Sequence, residues 1–284
     1  MKKAFTLIEL LVVIAIIALL LSIIVPGLKL AKMKASSVVC MTNVKNMSLG
    51  WFSYKEDNDN CIMSSEMDGI TANGGRIPGW INTPHTAAGV NLSPTSGTVT
   101  DEDEIRGIED GALHPYLKSP GVFNCPGDKV KSLYDTVDPE KFVTYAIPVC
   151  LAGVNSSGGT YYRVIKYNEI TSPSDRYNFV ETAEERNFTM AGHFVFGAPE
   201  LVGGGPAVWW GPMAVSHGDS SILGFCDGHA DVHKWQDKYT KDRVRKLSEQ
   251  GTTQYALDTA SGINSTNSED IAYMARGWAY RFKQ

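Results

Sequence analysis

The stretch that decides the architecture stands at the start of the chain: Met1-Lys2-Lys3-Ala4-Phe5-Thr6-Leu7-Ile8-Glu9-Leu10-Leu11-Val12-Val13, continuing apolar to Val25. Between Phe5 and Val25, 18 of 21 residues are hydrophobic, the exceptions being Thr6, Glu9 and Ser22. A helix of that length rises roughly 30 Å, the thickness of a bilayer's hydrocarbon layer. The run has no polar face, so it does not read as an amphipathic core helix. Lys2-Lys3 would suit a secretory signal peptide. The apolar run, however, exceeds the usual length, and Pro26-Gly27-Leu28-Lys29 follows where a small-residue cleavage site should stand. A plain anchor leaves Glu9 unexplained, because a carboxylate inside such a run is costly and is read first as functional; snorkelling to the nearby interface is the competing reading.

Outward from this run, the 284-residue chain changes character. Its overall 43% hydrophobic content falls to about 40% beyond Val25, an ordinary globular value. The length supports one or two domains with a real core. A net charge of −5 and a pI near 5.7 exclude a protein built to neutralise nucleic-acid phosphates. After Pro26, which can kink a helix, Met33, Ser37, Cys40, Val44, Met47, Trp51 and Tyr54 recur at spacings of three and four. This predicts an amphipathic continuation over 26–56 that lays one stripe on a core. Lys29, Lys32, Lys34 and Lys45 stay in solvent, and the turn-forming run Asp57-Asn58-Asp59-Asn60 ends the helix.

Residues 57–284 then form a head. The polar stretch 57–111, with its acidic run Asp101-Glu102-Asp103-Glu104, reads as a solvated loop, since the offsets of an EF-hand are missing. Strand-like runs follow at 122–125, 142–147, 161–167 and 176–181. A hairpin is expected at Ile222–Cys226, Asp227-Gly228 and His229–His233, with Asp-Gly as a two-residue turn. Pairing Cys226 with His229 would put Leu223, Phe225, Ala230 and Val232 on one face, and Cys226, His229, Asp231 and His233 on the other. Thr240 and Ser268 read as N-caps, the second helix presenting Ile271, Met274 and Trp278 on one side. Trp209 and Trp210, after Gly203-Gly204-Gly205, read as buried rather than as a ligand platform. No hydrolase, P-loop, zincin or dinucleotide motif is present, so no enzyme is expected.

The segment Lys2-Lys3-Ala4 followed by Phe5-Thr6-Leu7-Ile8-Glu9 closely resembles the processing site of type IV prepilins and type II secretion pseudopilins. The resemblance implies cleavage between Ala4 and Phe5 by prepilin peptidase, N-methylation of Phe5, and assembly through the N-terminal helix. Glu9 would pair with the Phe5 amine of a neighbouring subunit. The residue before the cut is usually Gly, whereas here it is Ala. The lysines flanking the span, Lys2 and Lys3 before it and Lys29, Lys32 and Lys34 after it, give an ambiguous count that leans toward the opposite orientation; the resemblance puts the head outside the cytoplasm. A second resemblance lies in His217, nine residues, then Asp227-Gly228. It is similar to the H-X9-DG element of a prepilin-type family, accompanied here by Leu113–Ser119, Phe123-Asn124-Cys125-Pro126 and Ile170–Ser174.

The expectation is therefore an α+β pilin-like lollipop. It comprises leader 1–4, transmembrane and assembly helix 5–25, amphipathic continuation 26–56, and extracytoplasmic head 57–284 with the signature hairpin at 217–235. The resemblance implies a pseudopilin or pilin-like subunit, single-pass in the inner membrane with a periplasmic head, or incorporated in a filament. Its partners would be prepilin peptidase, other pilin or pseudopilin subunits and the assembly machinery. The alternative is a membrane-tethered binding protein or adhesin using the same export route. No cofactor is expected. His229, Asp231 and His233 are candidate ligands for zinc or a similar ion if they share a face. Calcium enters only because related pseudopilins bind it, and no residue here maps to that site. Five cysteines, Cys40, Cys61, Cys125, Cys150 and Cys226, suit an oxidising exterior with at least one thiol free. Cys40–Cys61 with Cys125–Cys150 is one of several pairings.

Overall fold

The computed structural model describes residues 7–72, 75–92, 99–128, 143–152, 161–182, 192–198, 205–211, 213–242, 263–279 and 281–282. Helix α1 runs from Leu7 to Asp57 and carries both halves of the pattern. At 1.5 Å per residue it is about 75 Å long. Pro26 lies inside it without ending it. In the first half the large apolar side chains from Leu7 to Leu30 are all exposed, between 44% and 78%. In the second half Cys40, Val44, Met47, Trp51 and Tyr54 are buried, while Lys29, Lys32, Lys34 and Lys45 face solvent. The helix stops where Asp59 and Asn60 take positive φ. The Asn60 amide and the Asn58 side chain then satisfy the terminal carbonyls of Lys55 and Tyr54 at 3.0 and 2.7 Å.

The head places α1 against a five-stranded sheet. In chain order the remaining elements are β1 (Ile70–Ala72), β2 (Gly75–Ile77), α2 (Asp101–Glu109), α3 (His114–Leu117), β3 (Tyr145–Pro148), β4 (Tyr161–Tyr162), β5 (Tyr177–Glu181), β6 (His193–Phe194), β7 (Ser220–Phe225), β8 (Ala230–Lys234), α4 (Glu269–Gly277) and β9 (Arg281–Phe282). The main sheet has the order β6-β3-β5-β7-β8, antiparallel except for the parallel β3–β6 pair. β1–β2 and β4–β9 form separate two-stranded pairs. This is the α+β lollipop of a long helix bearing a mixed head.

α1 meets the sheet at Gly224 of β7. A Cβ there would lie 2.3 Å from Ser48 Oγ and 2.9 Å from Val44 Cγ1, so only glycine allows this approach. At the same point Ser48 Oγ donates to Asn178 Oδ1 at 2.9 Å. On the sheet's other face α4 packs at Tyr177 and His233, through Tyr273 and Gly277. Ser268 caps α4 by accepting from the Ile271 amide at 3.1 Å, and Ile271, Met274 and Trp278 are buried, as the pattern predicts. Trp209 is buried too, at 3% exposure.

Several local expectations are corrected. The acidic run 101–104 is the first turn of α2, not a loop. Thr100 and Asp103 form a reciprocal capping box, and carboxylates there oppose the positive end of the helix dipole. Residues 120–123 form a 3₁₀ turn started by Pro120 rather than a strand. Thr240 lies inside a helical turn at 238–242, where its hydroxyl accepts from Trp209 Nε1 at 3.3 Å.

The hairpin register is shifted by one from the expected pairing. Gly224 faces Ala230, Ile222 faces Val232 and Leu223 faces Asp231. The Phe225 amide donates to the His229 carbonyl at 2.9 Å, leaving Cys226-Asp227-Gly228 as a three-residue loop with Gly228 at φ 94°. The glycine supplies the positive φ that the last position of this three-residue loop requires, as it would in a two-residue turn. A one-residue slip exchanges faces. Ile222, Gly224, Ala230 and Val232 therefore share the α1 side, while Leu223 and Phe225 share a face with His229, Asp231 and His233.

Candidate functional site

The free half of α1 is the first candidate surface. Its most apolar window has a mean hydropathy of 3.2 and is wholly unburied, so nothing among the described residues of this chain covers it. An exposed apolar cylinder of this length needs a partner other than water: lipid, or equivalent helices of other copies. Glu9 stands in its first turn. Ala4 and Phe5, the residues of the expected cut, lie outside the described residues.

In the head, His217 and the Asp227-Gly228 pair sit at opposite ends of β7. The nine intervening residues are essentially that strand, which lies along α1. At the far end, Asp227 Oδ1 accepts from the His229 amide at 3.2 Å and also pairs with His229 Nδ1. A Cβ on Gly228 would lie 2.9 Å from Leu49 Cδ2 of α1. This end therefore serves turn formation and helix docking.

The His217 end is different. The imidazole is fully buried, with Nε2 3.0 Å from Glu181 Oε1 and 3.3 Å from Cys125 Sγ. Glu181 closes β5, and its other oxygen accepts from the Ile222 amide at 2.7 Å. Burial pushes the Glu181 carboxyl above its ordinary value, while the contacts with His217 and the Ile222 amide oppose that shift. Cys125 is disulfide-bonded to Cys40 of α1 with Cα atoms 5.3 Å apart. This bridge replaces the expected Cys40–Cys61 and Cys125–Cys150 pairings, since it takes one cysteine from each. The bridge ties α1 to the loop after Phe123, and Asn43 Nδ2 donating to the Asn124 carbonyl at 3.0 Å reinforces it.

His229, Asp231 and His233 do not converge on a common point. His229 stacks on Phe225, and His233 stacks on Tyr273 at a centroid distance of 3.7 Å. Among the described residues, the metal-ligating side chains close enough to hold one ion are Cys40, Cys125, Glu181 and His217. Of these, sequence reasoning had singled out His217 as a signature residue and the cysteines only for disulfide pairing. The missed member is Glu181. Its signal was a carboxylate ending the otherwise uncharged strand Tyr177-Asn178-Phe179-Val180, where an unpaired charge would be costly.

With this geometry established, the comparisons bear on the free half of α1. Residues 1–25 match the family described as the prokaryotic N-terminal methylation motif. The chain thus carries a prepilin-type motif. That motif supports a type IV pilin-like protein, a substrate of prepilin peptidase and a membrane-anchored chain, structural rather than enzymatic in character. No curated protein and no solved structure matches the chain significantly.

Proposed function

We propose that this protein is a pilin or pseudopilin-like structural subunit, cut between Ala4 and Phe5, methylated on Phe5, and assembled through the N-terminal half of α1. The observation that carries this reading is one helix with two unlike halves. Its first half bears the methylation motif and exposed apolar side chains along its whole length, and its second half is built into the head. Such a helix sits in the inner membrane with the head outside the cytoplasm, and can move into a filament without refolding. Cleavage would leave an amine on Phe5, four residues and about 6 Å of helix rise before Glu9. The pair then forms between neighbours, and it sets their axial register more than it adds net stability, because both charges are desolvated.

The mass of the mature N-terminus tests this reading. A chain starting at N-methylated Phe5 is expected. An intact Met1, or a start beyond Gly27, would overturn it. The competing reading, a tethered adhesin or binding protein that uses the same export route, predicts a processed chain that stays out of filaments and a ligand for the head.

A further inference from the structure

We propose that Cys40, Cys125, Glu181 and His217 form a structural zinc site when the two cysteines are in the dithiol state. One sulfur, imidazole nitrogen or carboxylate oxygen from each residue lies within 4.8 Å of all the others. All four residues are buried, with the side chains of His217 and Glu181 at 0% and 1% exposure. They arrive from four separate segments: α1, the loop after the 3₁₀ turn, the end of β5, and the residues entering β7. The set S₂NO is one that a tetrahedral, closed zinc site accepts.

Three observations argue that more than a disulfide is built here. A disulfide needs neither an acid nor an imidazole beside it, yet a carboxyl and an imidazole are buried against this one. His217 directs a single nitrogen, Nε2, at both a sulfur and a carboxylate oxygen, whereas its other nitrogen, Nδ1, is buried without a hydrogen-bond partner. One proton on Nε2 cannot serve both neighbours at full strength, but a cation between them engages all three atoms. Finally, the Gly127 amide donates to Cys125 Sγ at 3.3 Å, within the turn Cys125-Pro126-Gly127. An amide aimed at sulfur favours a thiolate over a neutral sulfur, and the Ile222 amide orients the Glu181 carboxylate in the same way. Gly127 is also packed over the ring, since a Cβ there would lie 2.7 Å from His217 Cε1.

Binding involves no electron transfer. Two thiols release their protons to solvent, two Zn–S bonds form, and neutral His217 and ionised Glu181 complete the shell, leaving a net charge of −1. The disulfide and the metal-bound forms are thus alternatives for the same two sulfurs, and both join α1 to the head.

The test uses the full-length chain in detergent, carrying Cys61→Ser, Cys150→Ser and Cys226→Ser, reduced with a phosphine and titrated anaerobically with Co²⁺. The expected result is one Co²⁺ per chain, with thiolate-to-cobalt charge transfer and the intense visible bands of a tetrahedral ion, displaced by Zn²⁺. His217→Gln and Glu181→Gln should each weaken binding at least about tenfold, and the oxidised chain should bind none. A reduced chain with native circular dichroism that takes up no Co²⁺ would overturn the proposal. So would weak octahedral bands, or unchanged affinity in Glu181→Gln, an isostere chosen in case His217→Gln does not fold. Filament assembly plays no part in this readout.

Discussion

The two halves of α1 share one backbone geometry and almost nothing else. From Leu7 to Leu30 every large apolar side chain is exposed; from Cys40 to Tyr54 the residues Cys40, Val44, Met47, Trp51 and Tyr54 form one stripe buried in the head, while Leu49 on another side stays exposed. The difference shows that helix formation and helix burial are separate matters. The first half is rich in Leu, Ile and Ala and the second in Ser, Val, Met and Lys, yet both are continuous helix. What each half packs against is decided by whether the chain itself supplies a complementary face. The C-terminal half finds one in β7, with Gly224 admitting the helix backbone. The N-terminal half finds none among the described residues, so its partner must come from outside.

This contrast can be broken in graded steps. The largest effect is expected from Glu9→Leu. Removing one member of a desolvated pair costs about 3–5 kcal/mol, so filament incorporation should fall a hundredfold or more, while membrane insertion, Phe5 processing and head unfolding stay unchanged. Wild-type incorporation would show that Glu9 sets no register.

Next comes Cys40→Ser, which opens a loop of 85 residues in the oxidised chain. Chain entropy predicts a loss of about 4.5 kcal/mol, read as a lower denaturation midpoint of the head with insertion intact. Gly224→Ala forces a Cβ into contact with Ser48 and Val44. It should destabilise the head by about 1–3 kcal/mol and leave the anchor half untouched, a split that proteolysis of the head against membrane fractionation would detect.

The smallest effect concerns His233. Burial lowers its pKa below the ordinary 6.5 despite the nearby carboxylates of Asp270 and Asp231, with Arg276 adding to the lowering. The unfolded chain therefore takes up the proton first as pH falls. The stability contributed by the neutral ring should be complete above pH 6.5 and decline as the pH drops below it. A His233→Gln chain should show a shallower fall in thermal midpoint across that window; identical slopes would remove His233 from the account.

Much of the architecture was legible in the linear order of residues because its signals are local. A 21-residue apolar run, the three- and four-residue spacing that follows it, the Asp57–Asn60 stop and the Ser268 cap each act within a turn or two of helix. The capping box Thr100-x-x-Asp103 was also there to be read, but the density of acidic residues masked it. The hairpin illustrates a limit. Asp227-Gly228 is compatible with a two- or a three-residue loop, and the choice exchanges every side chain between faces. Local chemistry leaves that choice open, and packing against α1 settles it.

What the sequence determined by itself, then, is the membrane-length helix, its methylation motif, the switch from an all-round apolar surface to a one-sided stripe, and an α+β head. These depend on composition and on periods of a few residues, which survive in one dimension. The tertiary structure alone decided that Cys40 bonds to Cys125 across 85 residues, that Glu181 meets His217, and that the hairpin pairs Gly224 with Ala230. Those relations depend on which strand lies beside which and in what register. They are set by the burial of large side chains across the whole head, and no local spacing encodes them.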